Sequence, residues 1–275
     1  LGVTSGMKLL GSLTSRLQYP IWEKVLRRSG ISESDTGKII EKMKKAYVRW
    51  EENSFPGLLG HVISGRIANR LNLGGTNCTV DAACASSLSA MKMAISDLLE
   101  YRSDMMIAGG VDADNSPMMY LCFSKTPAFT KGENPRPFDE DSGGVMIGEG
   151  LGMVVLKRLE DAERDGDRIY AVVKGIGTSS DGKFKSIYAQ RSGGQAKALR
   201  RAYEDANVEP LSIGMIEVHG SGNAAGEVAE VAGLKEGVPE RKTEKLRYTD
   251  EQHDAFCRYQ LEMILQTSAC RMRAH

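Results

Sequence analysis

Short apolar runs alternate with stretches of helical spacing along most of the chain, and this alternation is the main structural signal in the sequence. The run Met105–Ala108, which ends at Gly109-Gly110, is typical of a strand buried on both faces. Further strands are predicted at Leu151–Lys157, Ile169–Ile176 and Ile213–Val218. The stretches with helical spacing of apolar residues are 32–52, 60–71, 88–99 and 195–207, and the charged stretch 158–167 predicts a short helix or a turn. Strands that alternate with helices indicate an α/β sheet protein.

Two local signals refine this pattern. Ser32, three residues before Asp35, resembles a capping box and predicts the start of the helix at 32–52. Four prolines make the stretch 116–138 rich in loops, and loops over a rigid sheet are where substrate contacts concentrate.

Composition and charge narrow the class of protein. The chain has 275 residues, 41% of them hydrophobic and 26% charged, which is typical of a globular protein with a sizeable core. Lys plus Arg and Asp plus Glu both number 36, so the zero net charge suggests neither a nucleic acid nor an anionic membrane as partner. No apolar run approaches the ~20 residues that a membrane span needs. Five irregularly spaced cysteines favour a reduced, cytoplasmic setting over a disulfide framework.

Cys84 is the strongest candidate for chemistry. It lies in a turn of small residues, after the short β-branched stretch Thr79-Val80 and before the helix at 88–99. Backbone N–H groups and the dipole at a helix N-terminus favour the thiolate form of a cysteine, and the same N–H groups can hold an oxyanion. The alternative is an inert buried cysteine, and the pattern alone gives both interpretations about equal weight.

The residues around Cys84 carry a resemblance to a known family. Asp81-Ala82-Ala83-Cys84-Ala85-Ser86-Ser87 resembles the nucleophile motif of β-ketoacyl-acyl-carrier-protein synthases, the ketosynthases of the thiolase superfamily. Further matching stretches follow the family's order: Ser64–Arg70, Gly74-Gly75, Asp104–Val111, Arg136–Asp139, Gly148–Gly150 and His219–Gly222. Three stretches are similar to the ketosynthase of the multienzyme polyunsaturated fatty acid synthases of bacteria: Trp50–Gly57, Ser124–Thr130 and Ser179–Ser186.

The resemblance covers about residues 1–234 and implies a fold and a domain division. It implies an α/β, thiolase-like layered fold (αβαβα), which we expect to be incomplete at both ends because Leu1-Gly2-Val3 reads as the end of a strand already under way. Residues 1–234 are then a partial ketosynthase domain cut from a longer polypeptide, and 235–275 are a divergent, unassigned tail.

The activity that the resemblance implies is acyl transfer followed by decarboxylative Claisen condensation, as in fatty acid and polyketide chain elongation. Cys84 would take the acyl chain, and His219, at the end of a predicted strand, would polarise the malonyl thioester. No metal or bound cofactor is implied, since phosphopantetheine arrives on an acyl carrier protein. The implied partners are that carrier protein, the other domains of a multidomain synthase, and a second copy packed partly through Met105–Ala108 as a homodimer.

The match near His219 is imperfect. The family usually has threonines at Ser221 and Asn223, where the side chains bind the pantetheine arm, and aspartate at Glu227, whereas Glu230 matches. The family's second catalytic histidine and its active-site lysine have no counterpart in this sequence. The alternative function is therefore a catalytically incomplete ketosynthase fragment that self-acylates or only binds acyl chains or partners.

Two further motifs suggest other ligands, and both are weak. Gly177–Lys183 fits most of a phosphate-binding loop, but Phe184 follows where Ser or Thr would hold Mg²⁺. The tail carries His253, Cys257, Cys270 and His275, whose order does not match a zinc finger. A nucleotide site and a zinc site are thus both improbable interpretations.

Overall fold

A two-stranded antiparallel sheet and a long helix form the framework around Cys84. The computed structural model describes residues 1–3, 7–126, 129–183, 185 and 189–238. The first strand, β1, is Met105–Asp112, and the second, β2, is Gly150–Lys157. They pair in a register that runs from Met105 opposite Lys157 to Asp112 opposite Gly150. Both strands were predicted from their apolar runs. The burial expected for β1 is found only at its centre, at Ala108 and Gly109.

The helices are numbered in chain order. They are α1 (Met7–Leu17), α2 (Tyr19–Arg28), α3 (Glu33–Ala46), α4 (Ser54–Leu58), α5 (Gly60–Leu71), α6 (Ser86–Leu99), α7 (Pro117–Lys125), α8 (Leu159–Asp165), α9 (Ser192–Ala206) and α10 (Ala224–Gly237), with a 3-10 turn at Pro210–Ser212. The chain divides into two compact units. Among the described residues, the first comprises Leu1–Val3, Val80–Asn115 and those from Tyr120 onward, and the second comprises those within Thr4–Thr79 and Ser116–Met119.

In the first unit, residues 1–3 extend the sheet beside β1. The Gly2 N–H donates to the Gly109 carbonyl (2.7 Å), and the Val111 N–H donates to the Gly2 carbonyl (3.0 Å). On its other side this segment bonds to Val80, whose N–H donates to the Leu1 carbonyl (2.9 Å). Val80, just upstream of Cys84, is therefore tied to the sheet by an isolated bridge rather than by a full strand.

Helix α6 packs closely on β1 because the facing residues are small. A Cβ placed at Gly110 would lie 2.8 Å from the Ser87 Cβ, closer than real Cβ contacts come. The helical spacing of Leu88, Met91, Ile95, Leu98 and Leu99 predicts one buried stripe, and this is only partly right: Leu88 and Leu98 are buried, but Leu99 is 66% exposed. The buried positions between Leu88 and Leu98 are Ala90 and Ala94, whose size allows the close approach.

Arg158 joins three elements of the first unit at the end of β2. Its guanidinium donates to the carbonyls of Leu98 (2.9 Å) and Ser103 (2.7 Å) and pairs with Asp104 (2.9 Å) and Asp161. The side chain is 9% exposed, so these partners compensate the charge that burial takes out of water.

Helices α9 and α10 pack together and form a hydrophobic core of the first unit. Leu199, Ala202 and Tyr203 are buried, and the residues packed against them are Val208, Ile213, Leu234 and Val238. Glycines allow the close contact: a Cβ at Gly237 would lie 2.9 Å from a Leu199 methyl carbon.

The predicted strands at Ile169–Ile176 and Ile213–Val218 are wrong, because neither stretch is a strand in the part of the chain that the structure describes. The first packs on α9 instead: the Ile176 N–H donates to the Asp205 carboxylate (2.8 Å), where a strand would donate to a neighbouring carbonyl. In the second, Met215 is 69% exposed and Ile216 is 38% exposed. Apolar runs report a tendency to be buried and do not by themselves supply a pairing strand.

The second unit is helical, and its elements are only partly predictable from the sequence. The Ser32 side chain accepts the Asp35 N–H (3.1 Å) and caps α3, as predicted. The helix ends at Ala46, before the predicted end at Glu52, whereas α5 matches its prediction. Helices α1 and α2 were not predicted, and Tyr19 of α2 is buried against the ring of Tyr47 (6.5 Å between centroids).

Candidate active site

Cys84 lies in a tight turn whose backbone is held by neighbouring side chains. Ala83 has a φ of +49°, in the left-handed region that a residue with a Cβ seldom adopts. Its N–H donates to the Asp81 carboxylate (3.1 Å), and its carbonyl accepts from the Ser86 hydroxyl (2.6 Å). The Ser86 oxygen also accepts the Ala82 N–H (2.8 Å). Strain of this kind costs about 1–3 kcal/mol and is found mainly where the surrounding contacts enforce it, most often at functional sites.

The turn presents Cys84 at the start of α6. The residue is exposed, which contradicts the alternative of an inert buried cysteine. Ala85 is the N-cap and makes no side-chain cap bond, and the first turn of α6 contains no acidic residue. The positive end of the helix dipole is therefore not compensated within the helix, so it is available to stabilise negative charge on a nearby sulfur or oxygen.

His219 begins a loop whose backbone N–H groups are held by Glu230. The Glu230 carboxylate accepts the N–H of His219 (2.6 Å) and the N–H of Gly220 (3.1 Å). Glu230 is 8% exposed, and it lies on the second turn of α10. The two oxygens of Glu230 thus fix the backbone conformation at His219 and Gly220.

Glu227 holds the other end of the same loop. Its carboxylate accepts the Gly222 N–H (2.8 Å) and is 5% exposed. Asn223, between them, is the N-cap of α10 and accepts the Gly226 N–H (3.2 Å) with its side chain. The Ser221 hydroxyl oxygen accepts the Asn223 N–H (3.4 Å), and Ser221 as a residue is half-buried. Asn223 is thereby occupied in capping, a role for which Asn suits better than Thr.

The loop 136–144 packs against the residues that follow His219. Gly222 has a φ of +73°, and a Cβ there would lie 2.4 Å from the Gly144 carbonyl oxygen. The Gly222 carbonyl accepts the Gly144 N–H (2.7 Å) and the Ser142 hydroxyl (2.6 Å). The ring of Phe138 also lies against Gly220, because a Cβ placed at Gly220 would be 3.3 Å from a carbon of that ring. Two stretches some 80 residues apart are thus joined at the site.

Burial lowers the pKa of His219 below its ordinary value, while the charges of Glu230 and then Glu227 act in the opposite direction. Because burial is the largest of these effects, His219 is neutral at pH 7. A neutral imidazole carries one N–H donor and one acceptor, which suits it to polarise a carbonyl group.

The structure thus arranges the six sequence-predicted residues in two groups of the first unit. Cys84 belongs to the turn before α6, and His219, Ser221, Asn223, Glu227 and Glu230 belong to the loop before α10 and to α10 itself. A cleft of about 190 Å³ lies beside the first of these groups, between the start of α6, segment 176–181 and the start of α9. It begins at Ala85, the residue after Cys84.

Sequence reasoning missed Ser86 and Ser142 as supports of the site. The signal for Ser86 was present, since a serine at a helix start is typical of side-chain bonds to nearby backbone groups. Ser142 bonds to a loop 80 residues away, and no local pattern predicts such a contact.

Comparison with models of known protein families identifies the family of this chain. The model of the β-ketoacyl synthase N-terminal domain matches residues 23–162, and that of the C-terminal domain matches residues 170–248. The chain belongs to the β-ketoacyl synthase family. The resemblance stated from the sequence is therefore confirmed, and with it the assignment to a family of acyl-transferring condensing enzymes.

Curated relatives place the chain among ketosynthases of large synthases. It is 48% identical over 235 residues to a polyunsaturated fatty acid synthase subunit from Thraustochytrium sp., a match that covers 86% of this chain and 8% of the relative. It is 35% identical over 227 residues to a mycocerosic acid synthase-like polyketide synthase of Mycolicibacterium smegmatis, covering 78% of this chain and 11% of the relative. The chain thus corresponds to a small part of the multidomain proteins that it resembles.

Solved structures confirm the thiolase-like layered fold. The ketosynthase from module 6 of the bacillaene synthase of Bacillus subtilis 168 aligns with a TM-score of 0.66 and 32% identity, covering 72% of this chain and 36% of that one. The oxazolomycin ketosynthase domain OzmH KS7 of Streptomyces albus JA3453 aligns with a TM-score of 0.66 and 27% identity, covering 72% and 33%. No helix among the described residues is long and apolar enough to cross a membrane. The tail residues considered for zinc, 253–275, lie outside the described residues.

Proposed function

We propose that Cys84 is the nucleophile of an acyl transfer and that the chain serves fatty acid or polyketide chain elongation. The observation that supports this most is the exposed thiol in a strained turn at the start of α6, where the helix dipole is uncompensated. In this step the Cys84 sulfur forms a bond to the acyl carbonyl carbon, and the bond from that carbon to the pantetheine sulfur breaks. The departing pantetheine thiol takes up the proton that the Cys84 thiol lost.

In the second step of the proposal, a malonyl thioester loses CO₂ and the resulting enolate attacks the Cys84 thioester. A carbon–carbon bond forms, the Cys84 sulfur leaves, and the product is a β-ketoacyl chain two carbons longer. His219, neutral and held through its backbone by Glu230, would donate to the malonyl thioester oxygen as negative charge develops there. Ser221, a half-buried residue of the same loop, would contact the pantetheine arm.

The partners proposed for this chain follow from its relatives. The substrate would arrive as a thioester of phosphopantetheine on an acyl carrier protein, so no cofactor would be bound by the chain itself. Relatives that are many times longer support association with other synthase domains in a cytoplasmic assembly. A homodimer formed partly through β1 is proposed by analogy with the family.

The first test is covalent labelling of Cys84. The chain is incubated with an acyl-pantetheine thioester, and its intact mass is measured beside those of Cys84→Ala and Cys122→Ala. Cys122 is also exposed, so it is the matched control for simple thiol reactivity. We expect one acyl adduct on the parent chain and on Cys122→Ala and none on Cys84→Ala. A folded sample that gains no adduct at Cys84 would contradict the proposed acyl transfer.

A second candidate function is self-acylation without elongation. Among the residues that the structure describes, histidine occurs at His61 and His219, and His61 belongs to the other compact unit. Within the described residues of the first unit, His219 is thus the one histidine, where the family uses two. Measurement of β-ketoacyl product from acylated chain and malonyl-pantetheine separates the two functions, because this second function predicts stable acyl-enzyme and no condensation product.

A further inference from the structure

The turn formed by residues 136–139 carries an aromatic side chain at a backbone position that usually favours glycine. The Asp139 N–H donates to the Arg136 carbonyl (3.3 Å), so Pro137 and Phe138 are the central residues of a β-turn. Phe138 has a φ of +61°. A proline followed by a residue with positive φ is the pattern of a type II turn, and Gly or Asn is the usual residue at that second position. Phe138 is therefore a conformational outlier of the kind that is most often retained at functional sites.

The residues that follow Phe138 help to impose this conformation. The Asp139 carboxylate accepts the Asp141 N–H (2.8 Å), and the Asp139 carbonyl accepts the Ser142 N–H (3.0 Å). The Phe138 side chain is 40% exposed, so its burial offsets only part of the cost of the positive φ. A residue that is both strained and incompletely buried is difficult to explain by a contribution to stability alone.

The Phe138 side chain lies against Gly220, the residue after His219. A Cβ placed at Gly220 would be 3.3 Å from a carbon of the Phe138 ring and 3.5 Å from the Pro137 Cβ. Gly220 has a φ of +52°, so both the backbone and the available space favour glycine at this position. The ring and the proline thus cover the Cα of the residue whose N–H donates to Glu230 (3.1 Å).

The imidazole beside this contact is neutral because it is buried. Burial is the largest effect on the His219 pKa and lowers it below its ordinary value. The charged groups of the elements packed at this loop are Glu227 and Glu230 of α10 and Arg136, Asp139 and Asp141 of the loop 136–144. A phenyl ring adds neither a charge nor a hydrogen-bonding group to them, so what it contributes is the exclusion of water. Water at this position would favour the charged imidazole.

We propose that Phe138 is a positioning residue for His219: its ring, presented by the strained turn, fixes the loop 219–222 and keeps water away from the imidazole. Phe138 acts through Gly220 and is not assigned a contact with substrate. The consequence for catalysis rests on the proposed condensation, in which His219 donates to the malonyl thioester oxygen. The effect on the loop and on the imidazole does not depend on that reaction and can be measured without it.

NMR titration of the His219 imidazole in Phe138→Gly, Phe138→Tyr and Tyr101→Gly tests the proposal, and His219→Gln identifies the signal. We expect Phe138→Gly to raise the His219 pKa towards the ordinary value of ~6.5, because water then reaches the imidazole, and Phe138→Tyr to keep the low pKa. Tyr101 is the matched control, since it is also an exposed aromatic residue with a positive φ (+55°) and follows the end of α6 opposite to Cys84. An unchanged pKa in Phe138→Gly, or an equal rise in Tyr101→Gly, overturns the proposal.

Hydrogen exchange measures the loop itself in the same variant. In Phe138→Gly the Gly220 N–H loses the cover of the ring and should exchange about tenfold faster. The Gly226 N–H, which donates to the Asn223 side chain (3.2 Å), should keep its rate. Equal acceleration of the two amides means a general loosening of the fold and overturns the positioning role. Urea unfolding tests the strain: Phe138→Gly should unfold at a higher urea concentration than Phe138→Ala, because only alanine keeps a Cβ at positive φ, and the reverse order overturns the assignment of strain.

Single-turnover kinetics relate the proposal to the two steps of the reaction. In Phe138→Gly the acylation of Cys84 should keep its rate, whereas condensation of the acylated chain with malonyl-pantetheine should be about tenfold slower, and Phe138→Tyr should restore it. An equal loss in both steps overturns a role that acts through His219. A parent chain that yields no condensation product overturns the proposed elongation instead, and the imidazole and amide measurements then decide the role of Phe138.

Discussion

Ala83 has the least favourable backbone conformation in the turn that presents Cys84. Its φ of +49° is enforced by the bonds to Asp81 and Ser86. A glycine has no Cβ to strain in this region, although it loses more conformational freedom on folding. The balance of these two effects decides how a substitution at residue 83 changes stability.

We predict that Ala83→Gly leaves the free energy of unfolding unchanged or raises it by up to about 1 kcal/mol, because relief of strain offsets the entropy cost. The matched control is Ala90→Gly, at a buried helical position of α6, for which we expect a loss of at least ~1 kcal/mol. Urea unfolding measures both. Equal losses in the two variants would show that residue 83 carries no strain.

His219 and the two carboxylates around it give a second prediction at this scale. Since burial lowers the His219 pKa and Glu230 opposes this more than Glu227 does, Glu230→Gln should lower that pKa further than Glu227→Gln. NMR titration of the imidazole signals measures the pKa, and His219→Gln identifies the signal. A rise in the His219 pKa in Glu230→Gln would contradict the assigned charge effect.

The same pKa predicts how stability depends on pH. As pH falls below ~6.5, the unfolded chain binds a proton at this residue before the folded chain does. The free energy of unfolding therefore decreases from about pH 6.5 down to the lowered pKa and becomes flat below it. In His219→Gln this part of the pH dependence should be absent, which urea unfolding at several pH values can verify.

At the scale of elements, the contact between α6 and β1 positions the Cys84 turn. Gly110 lies under Ser87, the second residue of α6, and leaves no room for a methyl group. The identity of a single strand residue thus sets how closely the start of the helix approaches the sheet.

We expect Gly110→Ala to displace the start of α6, to destabilise the fold by about 1–3 kcal/mol, and to slow alkylation or acylation of Cys84. The second variant, Ser87→Gly in the Gly110→Ala background, removes the clashing Cβ and should restore most of both properties. A double-mutant cycle with urea unfolding and acylation rates as readouts measures this coupling. Purely additive effects would mean that the two residues do not determine the helix position.

Elements with a local signal could be predicted from the sequence, and those that depend on distant partners could not. β1, β2, α5 and the cap of α3 follow from apolar runs and from Ser32, whereas the stretches 169–176 and 213–218 have strand composition but no strand beside them in the described part of the chain. The candidate site shows the same division. The motif around Cys84 predicts its turn, but the contact between Gly222 and the loop 136–144 joins residues with no common pattern.

At the scale of the whole molecule, β2 is exposed to an unusual degree for an apolar strand. Leu151 is 63% exposed and Val155 is 62% exposed, and within the described residues the sheet has two strands, so the outer edge of β2 pairs with no strand there. An apolar strand with an unpaired edge is a template for association with another chain.

We therefore predict that Leu151→Lys combined with Val155→Lys reduces concentration-dependent association of the chain, because charge at an edge strand opposes pairing. The matched control is Ile21→Lys combined with Val25→Lys on α2, where 53% and 54% of the residues' surface is exposed but the helix satisfies its own backbone bonds. Sedimentation velocity over a range of concentrations measures the association, and Cys84 labelling verifies that the site is intact. If only the β2 pair reduces association, the open edge of the strand causes it. If both pairs reduce association equally, general surface hydrophobicity is the cause, which would contradict the prediction.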